Sequence, residues 1–177
     1  QAKNCALALA VCMDVMADLC RESDTLYIFS EPMCNQIRRQ LSAIHHPGRM
    51  ELLSSDPFVL LDACIHSASC ENVKDVLRHL GIQNCTVIVG IPEDKDYAGV
   101  VRSMKDVAAR IILTRSGNPH YHFSKNQQET LVQEGISAEW TGSVKQALTL
   151  AASFPNPIVI LGTTSVISEV AQVFRQS

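Results

Sequence analysis

Residues 58–114 read FVLLDACIHSASCENVKDVLRHLGIQNCTVIVGIPEDKDYAGVVRSMKDVAARIILT, and the alternation inside this stretch decides the fold. It opens on four consecutive apolar residues, Phe58-Val59-Leu60-Leu61. Val73, Val76, Leu77 and Leu80 then follow at the i, i+3, i+4, i+7 spacing of one helical face, which Gly81 stops. A β-branched run at 85–89 (CTVIV) comes next. Tyr97, Val100, Val101 and Met104 repeat the helical spacing, and residues 110–114 (RIILT) form a third run. Strands of near-continuous apolar character separated by helix-period segments predict parallel pairing with both faces covered, because a sheet with one wet face would alternate.

The same rhythm continues outward. Gly117, Asn118 and Pro119 mark a loop over 115–123, and residues 124–134 predict a helix capped at Ser124. A short strand is expected at 137–140. Val144, Ala147, Leu148 and Ala151 lie on a helix with Thr141 or Ser143 as its cap. Residues 157–161 (PIVIL) form the last strand, and Val166, Ile167, Val170 and Phe174 lie on the last helix. Five strands alternating with five helices predict an α/β, Rossmann-like three-layer domain with a mostly parallel sheet, spanning residues 47–177. Residues 1–46 differ. They read as helices over 2–20 and 33–44 joined by a polar loop, a helical segment from an adjoining domain. His46-Pro47-Gly48 forms the boundary, and residues 50–53 are a possible edge strand.

Composition narrows the function. Among 177 residues, 46% are hydrophobic and 19% charged, which excludes a disordered chain. A net charge of −3, with Arg38-Arg39 the only adjacent basic pair, supplies no stripe of phosphate contacts and argues against nucleic acid. The seven cysteines, at 5, 12, 20, 34, 64, 70 and 85, are irregularly spaced without a C-x-x-C, which points to reduced thiols in a cytoplasmic protein. The apolar run at 5–13 (CALALAVCM) ends at Asp14, short of the roughly 20 residues a membrane span needs, so it is read as a buried helix and no membrane role is expected. A chain that begins at Gln1 inside a helical pattern reads as a fragment.

Ligands of open parallel sheets bind beyond the carboxyl ends of the strands, which selects the loops 62–70, 90–97, 114–122 and 162–165. Asp62 suits a ribose hydroxyl or a metal-bound water, and equally a helix or turn cap. His66 with Cys64 and Cys70 lacks a zinc spacing and a fourth ligand. The charge group Glu93-Asp94-Lys95-Asp96 reads as a solvated loop in which Asp94 or Asp96 caps the next helix. His120 and His122 read as exposed loop histidines. There is no G-x-x-x-x-G-K-[ST] loop, no G-x-G-x-x-G after a strand and no G-x-S-x-G elbow. Any triphosphate must therefore be cradled by another segment.

Several segments, in order, resemble the carboxy-terminal half of folylpolyglutamate synthase and dihydrofolate synthase, members of the Mur ligase superfamily. Residues 1–11 (QAKNCALALAV) are similar to a helix late in that family's central ATPase domain, and 46–53 (HPGRMELL) to its W-P-G-R linker. Residues 90–100 (GIPEDKDYAGV) carry its D-K-D-Y segment, and 111–119 (IILTRSGNP) and 159–170 (VILGTTSVISEV) match the segments that follow. The resemblance implies an ATP-dependent ligase that activates the terminal carboxylate of a folate as an acyl phosphate, which the amine of glutamate then attacks. It implies that residues 1–46 are the tail of a central ATPase domain, which holds the phosphate loop and the magnesium. It places Arg49, Asp62 and Thr163 at ATP, while His66, which stands one place late for the family histidine, Asp94 and Lys95 are candidates to line the cleft from the loops beyond the strand ends. It names no catalytic residue and no metal ligand here, and the isolated chain is not expected to be active. Where the family has D-G-A-H-N-P, this sequence has Asp62-Ala63-Cys64-Ile65-His66-Ser67. Ile65 can neither donate a hydrogen bond nor transfer a proton, which keeps a non-catalytic nucleotide- or protein-binding homologue as an alternative. A Mur-type cell-wall amino-acid ligase is a third reading, disfavoured by the D-K-D-Y and P-G-R segments.

Overall fold

The computed structural model describes residues 7–12, 14–15, 31–43 and 46–175. Gln1–His45 and His46–Ser177 form two compact units. In the first, residues 7–12 and 14–15 are helical and α1 spans Glu31–Ala43. The rest of the helix expected over 2–20 lies outside the described residues.

The second unit contains β1 (Glu51–Ser55), β2 (Phe58–Asp62), α2 (Ser67–His79), β3 (Cys85–Gly90), α3 (Tyr97–Met104), β4 (Ala108–Leu113), α4 (Asn126–Gln133), β5 (Glu139–Trp140), α5 (Val144–Ala152), β6 (Ile158–Gly162) and α6 (Thr164–Arg175). The sheet order is β1-β2-β6-β3-β4-β5. Only the β1–β2 pair is antiparallel; the others are parallel. The last strand in sequence is thus inserted between β2 and β3, the first two parallel strands.

Strand residues alternate between two cores. Leu60, Val87, Val89, Ile111, Leu113, Val159 and Leu161 pack with Cys70, Val73 and Leu77 of α2, Val100, Val101 and Met104 of α3, and Leu131 of α4. Their neighbours Val59, Leu61, Ile88, Ile112, Ile158 and Ile160 pack with Val144, Ala147 and Ala151 of α5 and Val166, Ile167 and Val170 of α6. Two buried faces require apolar residues at every strand position, which is why these strands read as continuous runs. The three-layer expectation is met.

Local differences have physical causes. Leu80, expected on the buried face of α2, is 56% exposed because it is the C-cap, one residue past the last turn. The helix ends there in a Schellman motif, with Ile82 N–H donating to Leu77 C=O at 2.9 Å and Gly81 N–H to Arg78 C=O at 3.1 Å. α4 begins at Asn126, not at 124, and Ser124 Oγ accepts the Asn126 N–H at 3.1 Å. β4 starts at Ala108, two residues before the expected run, because Ala108 pairs with Cys85. Of the two possible caps of α5, Ser143 is used, accepting from Gln146 N–H. Among the described residues no helix is long and apolar enough to cross a membrane.

Of the two possible caps of α3, Asp96 is used, and it also holds α2. One oxygen accepts Gly99 N–H at 3.1 Å, and the other accepts Ser67 N–H, the first residue of α2, at 2.8 Å. These bonds, chiefly that from Ser67, hold the Asp96 carboxyl below the ordinary aspartate range. Asp96→Ala removes two caps and is expected to cost about 2 kcal/mol of unfolding free energy. The folded pKa lies below the unfolded one, so this stabilisation is complete above the unfolded value and is lost as pH falls through the depressed one. Urea unfolding of the two forms at neutral and acid pH checks both, and the difference should shrink in acid.

Candidate functional site

The linker entering the domain folds onto the carboxyl end of β2. Gly48, at φ +71°, donates its N–H to Glu51 Oε2 at 2.6 Å and accepts the Ala63 N–H at 2.8 Å. A Cβ at Gly48 would lie 2.5 Å from Ile167 Cγ2, so both the backbone turn and the packing against α6 require glycine there. Asp62 Oδ2 accepts the Met50 N–H at 2.8 Å, and the Arg49 guanidinium donates to Ala63 C=O at 3.0 Å. Asp62 is 6% exposed whereas Arg49 is exposed. Burial pushes the Asp62 carboxyl above its ordinary value, against the opposing pull of the Met50 N–H and the Arg49 charge. Arg49 and Asp62 thus meet at one strand end, with the cation outermost.

Thr163 lies on the neighbouring strand end, two residues beyond Leu161, the register partner of Asp62. Its N–H donates to Gly90 C=O at 3.1 Å, where β6 and β3 approach closely. A Cβ on Gly162 would stand 2.6 Å from that same oxygen. Thr163 Oγ1, Thr114 Oγ1 and Ser116 Oγ are buried and make no hydrogen bond among the described residues. All three follow strand carboxyl ends, and such orphaned hydroxyls are uncommon in folded proteins.

The loops after β3 and β4 are tied together. Glu93 N–H donates to His122 C=O at 3.0 Å, and Gln127 Nε2 to Ile91 C=O at 2.9 Å. The β4–α4 loop is anchored on α6 by Gly117 N–H to Glu169 Oε1 at 2.7 Å and Asn118 Nδ2 to Ser165 Oγ at 2.8 Å. A pocket of about 530 Å³ opens between this loop, Gly142, Ser143 and Glu169.

The expected cleft residues are more dispersed. His66 is the exposed N-cap residue of α2, and its ring makes no capping bond. Asp94 and Lys95 are exposed and paired with each other at 2.9 Å, which lowers the Asp94 pKa. His120 and His122 are both exposed. Ala63, in the glycine position of the family turn, sits there without a positive φ. Ile65 packs against the α2 side of the core. Sequence reasoning marked the loop 114–122 but not the buried hydroxyls of Thr114 and Ser116, since nothing in their spacing separates a buried hydroxyl from a solvated one. Among the described residues no three His, Cys, Asp or Glu side chains are grouped to hold a metal ion.

The Mur ligase, glutamate ligase domain model matches residues 48–163. A folylpolyglutamate synthase of Lacticaseibacillus casei is 31% identical over 143 residues, which is 77% of this chain and 31% of that protein. A probable bifunctional folylpolyglutamate synthase/dihydropteroate synthase of Haloferax volcanii is 25% identical over 176 residues, 96% of this chain and 19% of its own length. The fold is also that of Mycobacterium tuberculosis folylpolyglutamate synthase, solved with ADP and AMPPCP. The TM-score is 0.70 at 20% identity, over 79% of this chain and 35% of that one. The chain therefore spans a third or less of the curated relatives' length. The match runs from the linker glycine through every strand to Thr163, so the resemblance read from the sequence motifs is borne out, and the chain belongs to the Mur ligases, as a glutamate ligase domain.

Proposed function

We propose that this domain is the carboxy-terminal lobe of an ATP-dependent ligase that adds glutamate to folate, a folylpolyglutamate or dihydrofolate synthase, working in the cytoplasm. In that reaction the γ-phosphoryl of ATP passes to a folate carboxylate, giving an acyl phosphate and ADP. The glutamate amine attacks the acyl carbon, the C–O bond to phosphate breaks, and an amide, inorganic phosphate and a proton result. A central ATPase domain, whose tail would be residues 1–46, would supply the phosphate loop and the magnesium.

One observation carries the reading. The Arg49 guanidinium is fixed by the Ala63 carbonyl yet remains exposed beyond the carboxyl end of the sheet. A permanently charged planar donor in that place suits a nucleotide phosphate. Asp62 holds the linker through Met50 and keeps one oxygen for a ribose hydroxyl, while the Thr163 hydroxyl has its bonding capacity unspent. His66, Asp94 and Lys95 would line the cleft on its solvent side. Closing this lobe over the nucleotide would exclude the water that hydrolyses an acyl phosphate.

Losing one charge-assisted bond costs about 2 kcal/mol, or roughly 30-fold in affinity. Arg49→Ala in the whole protein is therefore expected to raise the KM for ATP by about that factor while leaving the unfolding midpoint unchanged. An unaltered KM would remove Arg49 from the nucleotide. Ile65 favours a second reading: a half-buried apolar side chain packed against the core replaces a proton-transferring one, as in a homologue that binds nucleotide without turnover.

A further inference from the structure

Two buried cysteines outside the proposed nucleotide contacts face each other. Cys64, 1% exposed, lies in the turn after β2, and Cys70, fully buried, lies near the start of α2. Their Sγ atoms are 3.6 Å apart, and both thiols point to the carbonyl of His66, at 3.3 and 3.8 Å. A disulfide bond is about 2.05 Å long, so closure needs an approach of roughly 1.5 Å. One of the two sulfurs sits on a turn, where such a shift is least resisted. The cover over the pair is thin: Ala63 and Ile65 are half-buried and His66 is exposed.

We propose that Cys64 and Cys70 form a dithiol site that a hydroperoxide converts to an internal disulfide. The Cys70 sulfur attacks a peroxide oxygen, the O–O bond breaks, and a sulfenic acid and water result. The Cys64 sulfur then attacks the Cys70 sulfur, the S–O bond breaks, and the departing hydroxide takes the Cys64 proton as a second water. Two thiols and one hydrogen peroxide become one disulfide and two waters; sulfur is oxidised and peroxide oxygen reduced. The surroundings of the two sulfurs agree with that order. The contact with Cys64 holds the Cys70 thiol below its ordinary value, with help from Ser103 and the Lys74 charge, whereas the same contact and burial push Cys64 up. Cys85, equally buried in β3, has its thiol pushed up to about 11 by burial and serves as an internal control.

Closure draws Cys64 toward α2 and shifts the adjacent Ala63, which holds both Gly48 and Arg49. That consequence rests on the nucleotide role proposed above; the disulfide itself does not.

The test exposes the full chain to hydrogen peroxide, then denatures, alkylates and digests it with trypsin. Residues 50–74 form one peptide carrying both Cys64 and Cys70, and residues 79–95 carry Cys85. The 50–74 peptide should escape alkylation and be lighter by two hydrogens, with both changes reversed by dithiothreitol, while 79–95 stays alkylated. In Cys70→Ser, which keeps a buried hydroxyl donor, Cys64 should lose its protection. Alkylation of both cysteines after peroxide, sulfinate on either without a disulfide, or bonding to a different cysteine would overturn the proposal. In the whole protein, oxidation should weaken ADP binding about tenfold, reversibly, through displacement of Arg49 and partial loss of its contact. A disulfide without that change removes the link to Arg49 alone, and reduced protein that fails to bind ADP counts against the ligase reading, not against the disulfide.

Discussion

Leu161→Ala is expected to lower the unfolding free energy by about 4 kcal/mol, within the range for a fully buried leucine. Leu161 has no exposed surface and lies on β6, flanked by Asp62 of β2 and Val89 of β3. The side chain fills the core between the sheet and the α2 layer, where strands on both sides limit collapse around a cavity. Leu52→Ala, at a 53% exposed position on the edge strand β1, should change stability by less than about 0.5 kcal/mol. Urea midpoints at unchanged m-value measure the contrast. Equal losses at the two positions would contradict the central place of the last strand.

Gly162→Ala is expected to cost about 3 kcal/mol, although it adds only a methyl group. The new Cβ would meet the Gly90 carbonyl oxygen at 2.6 Å and Val166 Cγ1 at 3.1 Å. The oxygen belongs to the backbone of the neighbouring central strand and already accepts the Thr163 N–H, so relief would require the strands to part where the site residues begin. Gly117→Ala provides the control, since its Cβ would find only Glu169 Oε1 at 3.7 Å, an ordinary contact. Thermal unfolding of both variants gives the answer: Gly162→Ala should melt well below Gly117→Ala, and indistinguishable midpoints would rule out the close approach.

The elements were legible in the sequence because a sheet covered on both faces needs apolar residues at every position, and residues 85–89 and 157–161 show that without ambiguity. Their order was not, since the apolar character of residues 157–161 is the same in a central strand as in an outer one. Arg49 and Asp62 were legible through their motifs, and the structure brings them together across the linker. Asp96 was read as a possible cap of one helix. Its second partner, Ser67, lies 29 residues away and is reached only because the β2–α2 and β3–α3 loops share one edge of the sheet. Cys64 and Cys70 were grouped with His66 in the sequence, but their direct contact was hidden for a similar reason. They lie six positions apart, and only the turn followed by the start of α2 folds that spacing back to sulfur contact.

The most direct test of the proposed ligase lobe is labelled-glutamate incorporation by the whole protein, with a folate acceptor and ATP. The expected result is ATP-dependent transfer of glutamate to the folate, with one phosphate released for each amide formed. Nucleotide binding without glutamate transfer to any folate would contradict it, and would identify the Asp62–Ser67 turn, with Ile65 in its core, as the mark of a domain that binds without catalysing.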